Sequence, residues 1–429
     1  MEKSTGNYFH KCLPVSLKLN QFSETHVSTG KFAVENGQLV FGNMPLQQLA
    51  KRVGQTPFYA YERQLLTNRI KQLRLQMPND LKIYYALKAN PMPALVQHMA
   101  TLVDGFDVAS ANEMKVALDT GMLANAISFA GPGKRPQEHQ QAIAAGVTIN
   151  VESVHELDRI VEQSTNLGLK AKVALRINPA FELKSSGMKM GGGAKQFGID
   201  EELIPEAMIR VKNFDLDFQG FHIFAGSQIL KAEVLIEAQQ KTLQLAIELA
   251  EKCVLPIKKL NIGGGFGIPY FPNEQPLAAE QVGEALAEEM EVVKKRLPGA
   301  EIIIELGRYL VGEAGIYVTG ILDRKESRGQ IFLVTDGGLN HHLALSGNFG
   351  QILRKNYPVT IGNKLNVLEK EVVNIVGPLC TPLDTLADKM LLPKAEIGDL
   401  VVVFQSGAYG YTASPGKFLN HPDAVEVLV

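Results

Sequence analysis

Tryptophan is absent from this chain, cysteine occurs three times, and acidic and basic side chains nearly cancel at a formal net charge of −2. Cys12, Cys253 and Cys380 are odd in number and far apart, which argues against a disulfide framework and leads us to expect a reducing cytoplasm. No dense basic stripe is present, so nucleic-acid or acidic-membrane binding gets no electrostatic support. No apolar run reaches spanning length, and the opening MEKSTGNYFHKCLPVSL lacks the features of a signal peptide. The adjacent His341 and His342 lack the spacing and carboxylate company of a metal site and are read as a loop feature with no role. The missing tryptophan decides nothing.

What is present is an ordinary globular composition, 45% hydrophobic and 21% charged, over 429 residues, a length for which two domains are expected. Short apolar runs alternate with helical spacing. The runs are KIYYAL, GFDVAS, AISFAG, TINVES, KVALRIN, FQGFHIF, KLNIGG and EIIIEL. Strands alternating with helices in this way predict a closed (β/α)8 TIM barrel, with a doubly wound open sheet as the competitor. The polar residues fall at the ends of the runs: Lys88, Asp107 with Ser110, the GPGKRP turn, Glu152, Arg176 with Asn178, His222 with Ser227, Gly263 to Gly265, and Glu305 with Arg308. A barrel enzyme builds its site from these ends. After about residue 310 the texture becomes β-rich. The expected division is therefore an N-terminal segment 1–55 partly joining the β domain, a barrel over 56–310, and a C-terminal β domain (barrel or sandwich) over 311–429. The stretch 182–198 (ELKSSGMKMGGGAKQFG) is expected to be a mobile loop beside the site.

Each of these residues has two readings. A lysine desolvated at a barrel mouth loses basicity and can attack a carbonyl, but most strand-end lysines are merely solvated. Gly263 to Gly265 permit close backbone approach to a phosphate, yet a bare turn would look the same. Ser227 offers a hydroxyl donor and Arg308 a counter-charge. Glu305, behind three isoleucines, needs a partner, either Arg308 or a protonated ring nitrogen. Cys380 in VGPLCTPLD is an inert buried thiol on one reading and a catalytic one on the other.

Taken together, YYALKAN, GFDVAS, GSQI, NIGGGFG, ELGR, GPLC-x-x-x-D and GAYGYTAS resemble the alanine-racemase-fold (fold type III) pyridoxal-phosphate decarboxylases, which include diaminopimelate, ornithine and arginine decarboxylases. At finer grain FELKSSGMKMGGG, LVTDGGL and SGNFGQ resemble the exosortase A system-associated decarboxylases. The chain also resembles enzymes acting on glutamate attached to an acyl-carrier protein. The resemblance implies pyridoxal 5'-phosphate held by Lys88 as a Schiff base, with its phosphate on Gly263, Gly264, Gly265, Ser227, Arg308 and Tyr409. It implies Glu305 on the ring nitrogen, with Asp107, Arg176 and Phe224 also around the cofactor. Cys380 matches the residue that reprotonates the substrate carbon across a homodimer interface, with Thr381, Asp384 and Tyr409 on the substrate side.

Two departures from the family pattern matter. HIFAGSQ stands where many relatives have HxHIGSQ, so Phe224 takes the ring-stacking position and His222 the outer one. Thr381 stands where diaminopimelate enzymes carry a Glu that receives the distal ammonium. Decarboxylation of an amino acid without a free distal ammonium, presented on a carrier protein, is therefore expected. Plain diaminopimelate decarboxylation and a catalytically inactive regulatory homologue are the alternatives, and a racemase is disfavoured by Glu305.

Overall fold

All eight apolar runs form strands, and they close on themselves. The computed structural model describes residue 26 and residues 32–182, 188–189, 191–253, 255–347 and 355–429. Cys12, most of the N-terminal segment, part of the 182–198 loop and part of SGNFGQ lie outside the described residues. The strands are β1 (Lys82–Ala86), β2 (Gly105–Val108), β3 (Ile127–Phe129), β4 (Thr148–Val151), β5 (Lys172–Asn178), β6 (Asp217–Ile223), β7 (Lys259–Asn261) and β8 (Glu301–Leu306). Each is parallel to the next, β8 returns to β1 through Glu305 opposite Tyr84, and β4 meets β5 through Ile149 opposite Val173. The open-sheet alternative is thereby discarded. Parallel strands with helices outside are buried on both faces, which is why the runs read as continuous apolar stretches.

Helices begin soon after the strands end, and some strand-end polar residues are spent on starting them. Ser110 accepts a hydrogen bond from Glu113 N at 3.2 Å, and Ser153 accepts one from Glu156 N at 3.1 Å. Both are N-caps of the helices Ala111–Asp119 and Val154–Leu167. Ser110 therefore belongs to helix initiation and leaves Asp107 to face the barrel mouth.

The second unit is a mixed sheet of β9 (Gly315–Ser327), β10 (Gln330–Thr335), β11 (Val359–Ile361), β12 (Lys370–Val376), β13 (Thr385–Pro393) and β14 (Leu400–Val403). The long β9 changes partners along its length, pairing with Phe58–Tyr61, then β14, then β10. Phe58–Tyr61 falls within the stretch expected to be barrel, yet it lies in this sheet, with the terminal strand Val425–Leu428 along its other edge. Leu39, Phe41, Leu46, Phe58, Ile316, Val318 and Val402 form its apolar core. The sheet thus reaches back to the beginning of the chain and places the loop after β14 against the barrel, where Gln405 Nε2 donates to Pro269 O and Asn90 Nδ2 to Gly407 O.

Candidate active site

The barrel mouth holds a cleft enclosing about 460 Å³ out to its open rim, lined by Lys88, Phe224, Ser227, Gly265, Glu305, Arg308 and Tyr409 among others. Lys88 sits on the tight turn Leu87–Ala89 that ends β1. Its Nζ lies 5.5 Å from the centre of the Phe224 ring. Burial pulls the amine's pKa down, but Tyr409, Asp107 and Glu305 outweigh that pull, and Lys88 sits above its ordinary value. The expected depression of this lysine is therefore corrected: the acidic groups around it, Glu305 among them, oppose the desolvation and stabilise the ammonium.

Glu305 is buried at the end of β8. Asn261 Nδ2 donates to its Oε2 at 2.9 Å, and His222 Nε2 lies 3.2 Å from the same oxygen. Burial would raise this carboxyl, but the attraction of His222, with Lys88 and Arg176 adding, carries it down to about 2. Asp107 shows the opposite outcome. Burial and then the nearby Glu305 charge push it well above the usual carboxylate range, against the opposing pull of Lys88. Ser128 Oγ donates to it at 3.2 Å. Two carboxyl groups face one amine, and environment assigns the charge to Glu305.

The turn after β7 fits a phosphate. Gly263 has φ +70° and Gly265 has φ +87°, and a Cβ at either would come within 2.8 Å of a neighbouring carbonyl oxygen. Ser227 Oγ is buried and makes no hydrogen bond among the described residues. Arg308 is held between two rings, its guanidinium 5.3 Å from the centre of Tyr270 and 4.7 Å from that of Tyr409, while NH1 donates to Tyr270 Oη at 3.0 Å. Tyr409 itself hangs from the loop after β14, its N–H bonded to Ala89 O at 2.8 Å beside the Lys88 turn. A glycine cradle, an orphaned hydroxyl and a caged guanidinium suit a phosphorylated cofactor.

Arg176 stands further round the rim, paired with Glu152 Oε1 at 2.7 Å and lying 5.0 Å from the Phe197 ring centre. Glu152 also accepts from Gly131 N at 2.6 Å and from Gly198 N at 3.1 Å. The described part of the expected loop is therefore fastened at Gly198, at Asn178 (Nδ2 to Gly193 O, 2.9 Å), and where Met188–Lys189 pairs with Gly226–Ser227.

Cys380, Thr381 and Asp384 are not brought to this cleft. Cys380 is exposed, which removes the inert-core reading of its thiol. Asp384 is buried, with Oδ1 accepting from Leu339 N at 2.7 Å and Oδ2 from Leu379 N at 2.8 Å. A Cβ on Gly338 or Gly377 would lie 2.3 Å from these oxygens, so both glycines make room for the carboxylate. In this chain each oxygen of Asp384 accepts from a backbone donor, so the carboxylate braces the Cys380 loop. His341 and His342 also gain a place. His342 contacts Ser406 Oγ at 3.1 Å, and burial lowers its pKa to about 3, while His341 Nε2 contacts Pro422 O at 2.8 Å. Both are packed supports of the loops above the cleft.

Sequence reasoning missed Asn261 and Tyr270 altogether. Asn261 opens NIGGGFG, and Tyr270 lies three residues beyond its last glycine. For Asn261 the available signal was its place in a motif already singled out; for Tyr270 it was an aromatic hydroxyl just beyond that motif.

Residues 63–312 match the family model described as pyridoxal-dependent decarboxylase, pyridoxal binding domain. The chain is 38% identical over 386 residues to an L-glutamyl-[BtrI acyl-carrier protein] decarboxylase of Niallia circulans, covering 89% of this chain and 90% of that one. It is 34% identical to a diaminopimelate decarboxylase of Aquifex aeolicus, covering 92% and 91%. Among solved structures, a diaminopimelate decarboxylase from M. jannaschii in complex with L-lysine superposes with a TM-score of 0.82 at 28% identity, covering 93% and 92%. This coverage runs through barrel and sheet alike, so the chain belongs to the pyridoxal-dependent decarboxylases, enzymes that remove carbon dioxide from amino acids with pyridoxal phosphate.

Proposed function

We propose that this enzyme decarboxylates an amino acid whose distal end carries no free ammonium, delivered as a thioester on an acyl-carrier protein, in the cytoplasm. One observation carries this reading: the loop Gly377–Asp384 offers no free carboxylate. Its sole acid, Asp384, is turned inward onto Leu339 N and Leu379 N, and Thr381 follows the exposed thiol. A distal ammonium would meet no counter-charge from this loop. The likeness to the glutamyl-carrier-protein enzyme points the same way.

When bound, pyridoxal phosphate supplies a carbonyl for the substrate's nitrogen and a ring that accepts the electron pair left as carbon dioxide departs. Lys88 holds the cofactor by its amine. Glu305, kept ionised by His222 and Asn261, faces the ring nitrogen and favours its protonated form. Gly263 to Gly265, Ser227, Arg308 and Tyr409 hold the phosphate, while Phe224 packs beside Lys88 without offering a proton. Asp107 and Arg176 set the charge around the amine. The Cys380 thiol returns a proton to the substrate carbon. It lies outside its own chain's cleft, which supports a homodimer in which a second copy supplies it.

The test is carbon dioxide release from free glutamate, free diaminopimelate and glutamyl-carrier protein. Turnover confined to the carrier-bound substrate is expected, and efficient turnover of free diaminopimelate defeats the reading. On the same substrate, mixing inactive Lys88→Ala and Cys380→Ala proteins is expected to restore about a quarter of the activity if sites are shared across a two-fold dimer. No recovery on mixing would exclude shared sites.

A further inference from the structure

Asn261 and His222 lie opposite each other in neighbouring strands, and both reach the same oxygen of Glu305. The orientation of the Asn261 amide is decided by its other contact. Gly263 N–H lies 2.9 Å from Asn261 Oδ1 and can only donate, so the atom facing it must be oxygen. Nδ2 must then point at Glu305 Oε2, which is forced to accept. With Asn261 Nδ2 on Oε2 and His222 Nε2 3.2 Å from the same oxygen, Oε1 is the oxygen left for a further partner. No hydrogen bond to Oε1 forms among the described residues, and Glu305 lines the cleft.

We propose that Asn261 is a positioning residue that assigns the two oxygens of Glu305 different tasks, fixing Oε2 as a permanent acceptor and leaving Oε1 to the cofactor's ring nitrogen. This rests on the reading that Glu305 faces that nitrogen. Asn is required because one side chain must accept from the phosphate-side turn and donate to the carboxylate at once. The same amide therefore joins the two ends of the cofactor site. An Asp at this position would keep the bond to Gly263 but set a second carboxylate against Oε2, and two such groups cannot both ionise at short range. A Ser would keep an acceptor for the turn two residues on but is too short to reach Glu305.

The holoenzyme is reconstituted with cofactor labelled with ¹⁵N in the ring, and the ring-nitrogen resonance is followed against pH in wild type, Asn261→Ser, Asn261→Asp and Glu305→Gln. Asn261→Asp is expected to shift the pH at which the resonance changes, because residue 261 and Glu305 then share one proton. Asn261→Ser is expected to retain cofactor dissociation within about twofold of wild type while kcat falls about tenfold at little-changed KM, the loss of one hydrogen bond to a charged group. Wild-type resonance and kcat in Asn261→Ser would reduce Asn261 to a turn residue and overturn the proposal, even if Asn261→Asp fails to fold. If Glu305→Gln moves the resonance but neither Asn261 variant does, only the Asn261 proposal fails. If Glu305→Gln leaves it unmoved, Glu305 is not the ring partner and both readings fall.

Discussion

Two buried carboxylates, one at the barrel mouth and one in the second sheet, make opposite use of similar chemistry. Glu305 has one oxygen engaged by Asn261 and His222 and the other left toward the cleft. Asp384 has both oxygens taken by backbone N–H groups of two different loops. Burial raises Asp384 above its ordinary value despite the amides of Leu339 and Leu379, whereas the cationic surroundings of Glu305 overcome burial altogether. A carboxylate with a spare oxygen in a cleft is a reactive group. One with none is a brace.

The comparison breaks most visibly in activity. Glu305→Gln is expected to cut carbon dioxide release by about a hundredfold or more, since a preorganised charge at the electron sink is lost. Asp384→Ala is expected to spare cofactor binding, because Asp384 does not line the cleft. Normal turnover in Glu305→Gln would remove Glu305 from the chemistry. The next effect is on stability. Asp384→Ala orphans two buried donors, and at about 1–3 kcal/mol each the melting transition should fall clearly. An unchanged denaturant midpoint would mean that the loop closes without its brace.

The smallest effect is in the acid limb of stability. Glu305 titrates in the folded protein at about 2, below its ordinary 4.5. Its contribution is present above pH 4.5 and is lost as pH falls toward about 2, and a shift of this size is worth about 3 kcal/mol at most. Asp107 and Asp384, raised in the fold, act with the opposite sign: their contribution is present below the ordinary carboxylate value and is lost as pH rises through their folded values. The stability gap between wild type and Glu305→Gln should therefore narrow from pH 4.5 downward. A constant gap would show that the His222 and Asn261 contacts do not depend on the Glu305 charge.

Much of the barrel was legible because its information is local. Each run from KIYYAL to EIIIEL is one strand, and each polar end emerges at the same mouth because parallel strands share a direction. Lys88, Ser227, Gly265, Glu305 and Arg308 came together for that reason. The sheet was less legible, since Phe58–Tyr61 pairs with residues more than 250 positions away and its sequence does not name its partner. Asp384 was read as a substrate group because spacing from Cys380 says nothing about which way a carboxylate turns.

The order of apolar runs and the polar residues at their ends determined the barrel, its mouth and the residue types collected there, because strand direction is inherited by every residue on it. Only the tertiary structure decided which carboxylate keeps its charge, which oxygen is left toward the cleft, and that Asn261 joins the glycine turn after β7 to Glu305. Those outcomes depend on burial and on donors arriving from other strands, and neither is written in the local chain.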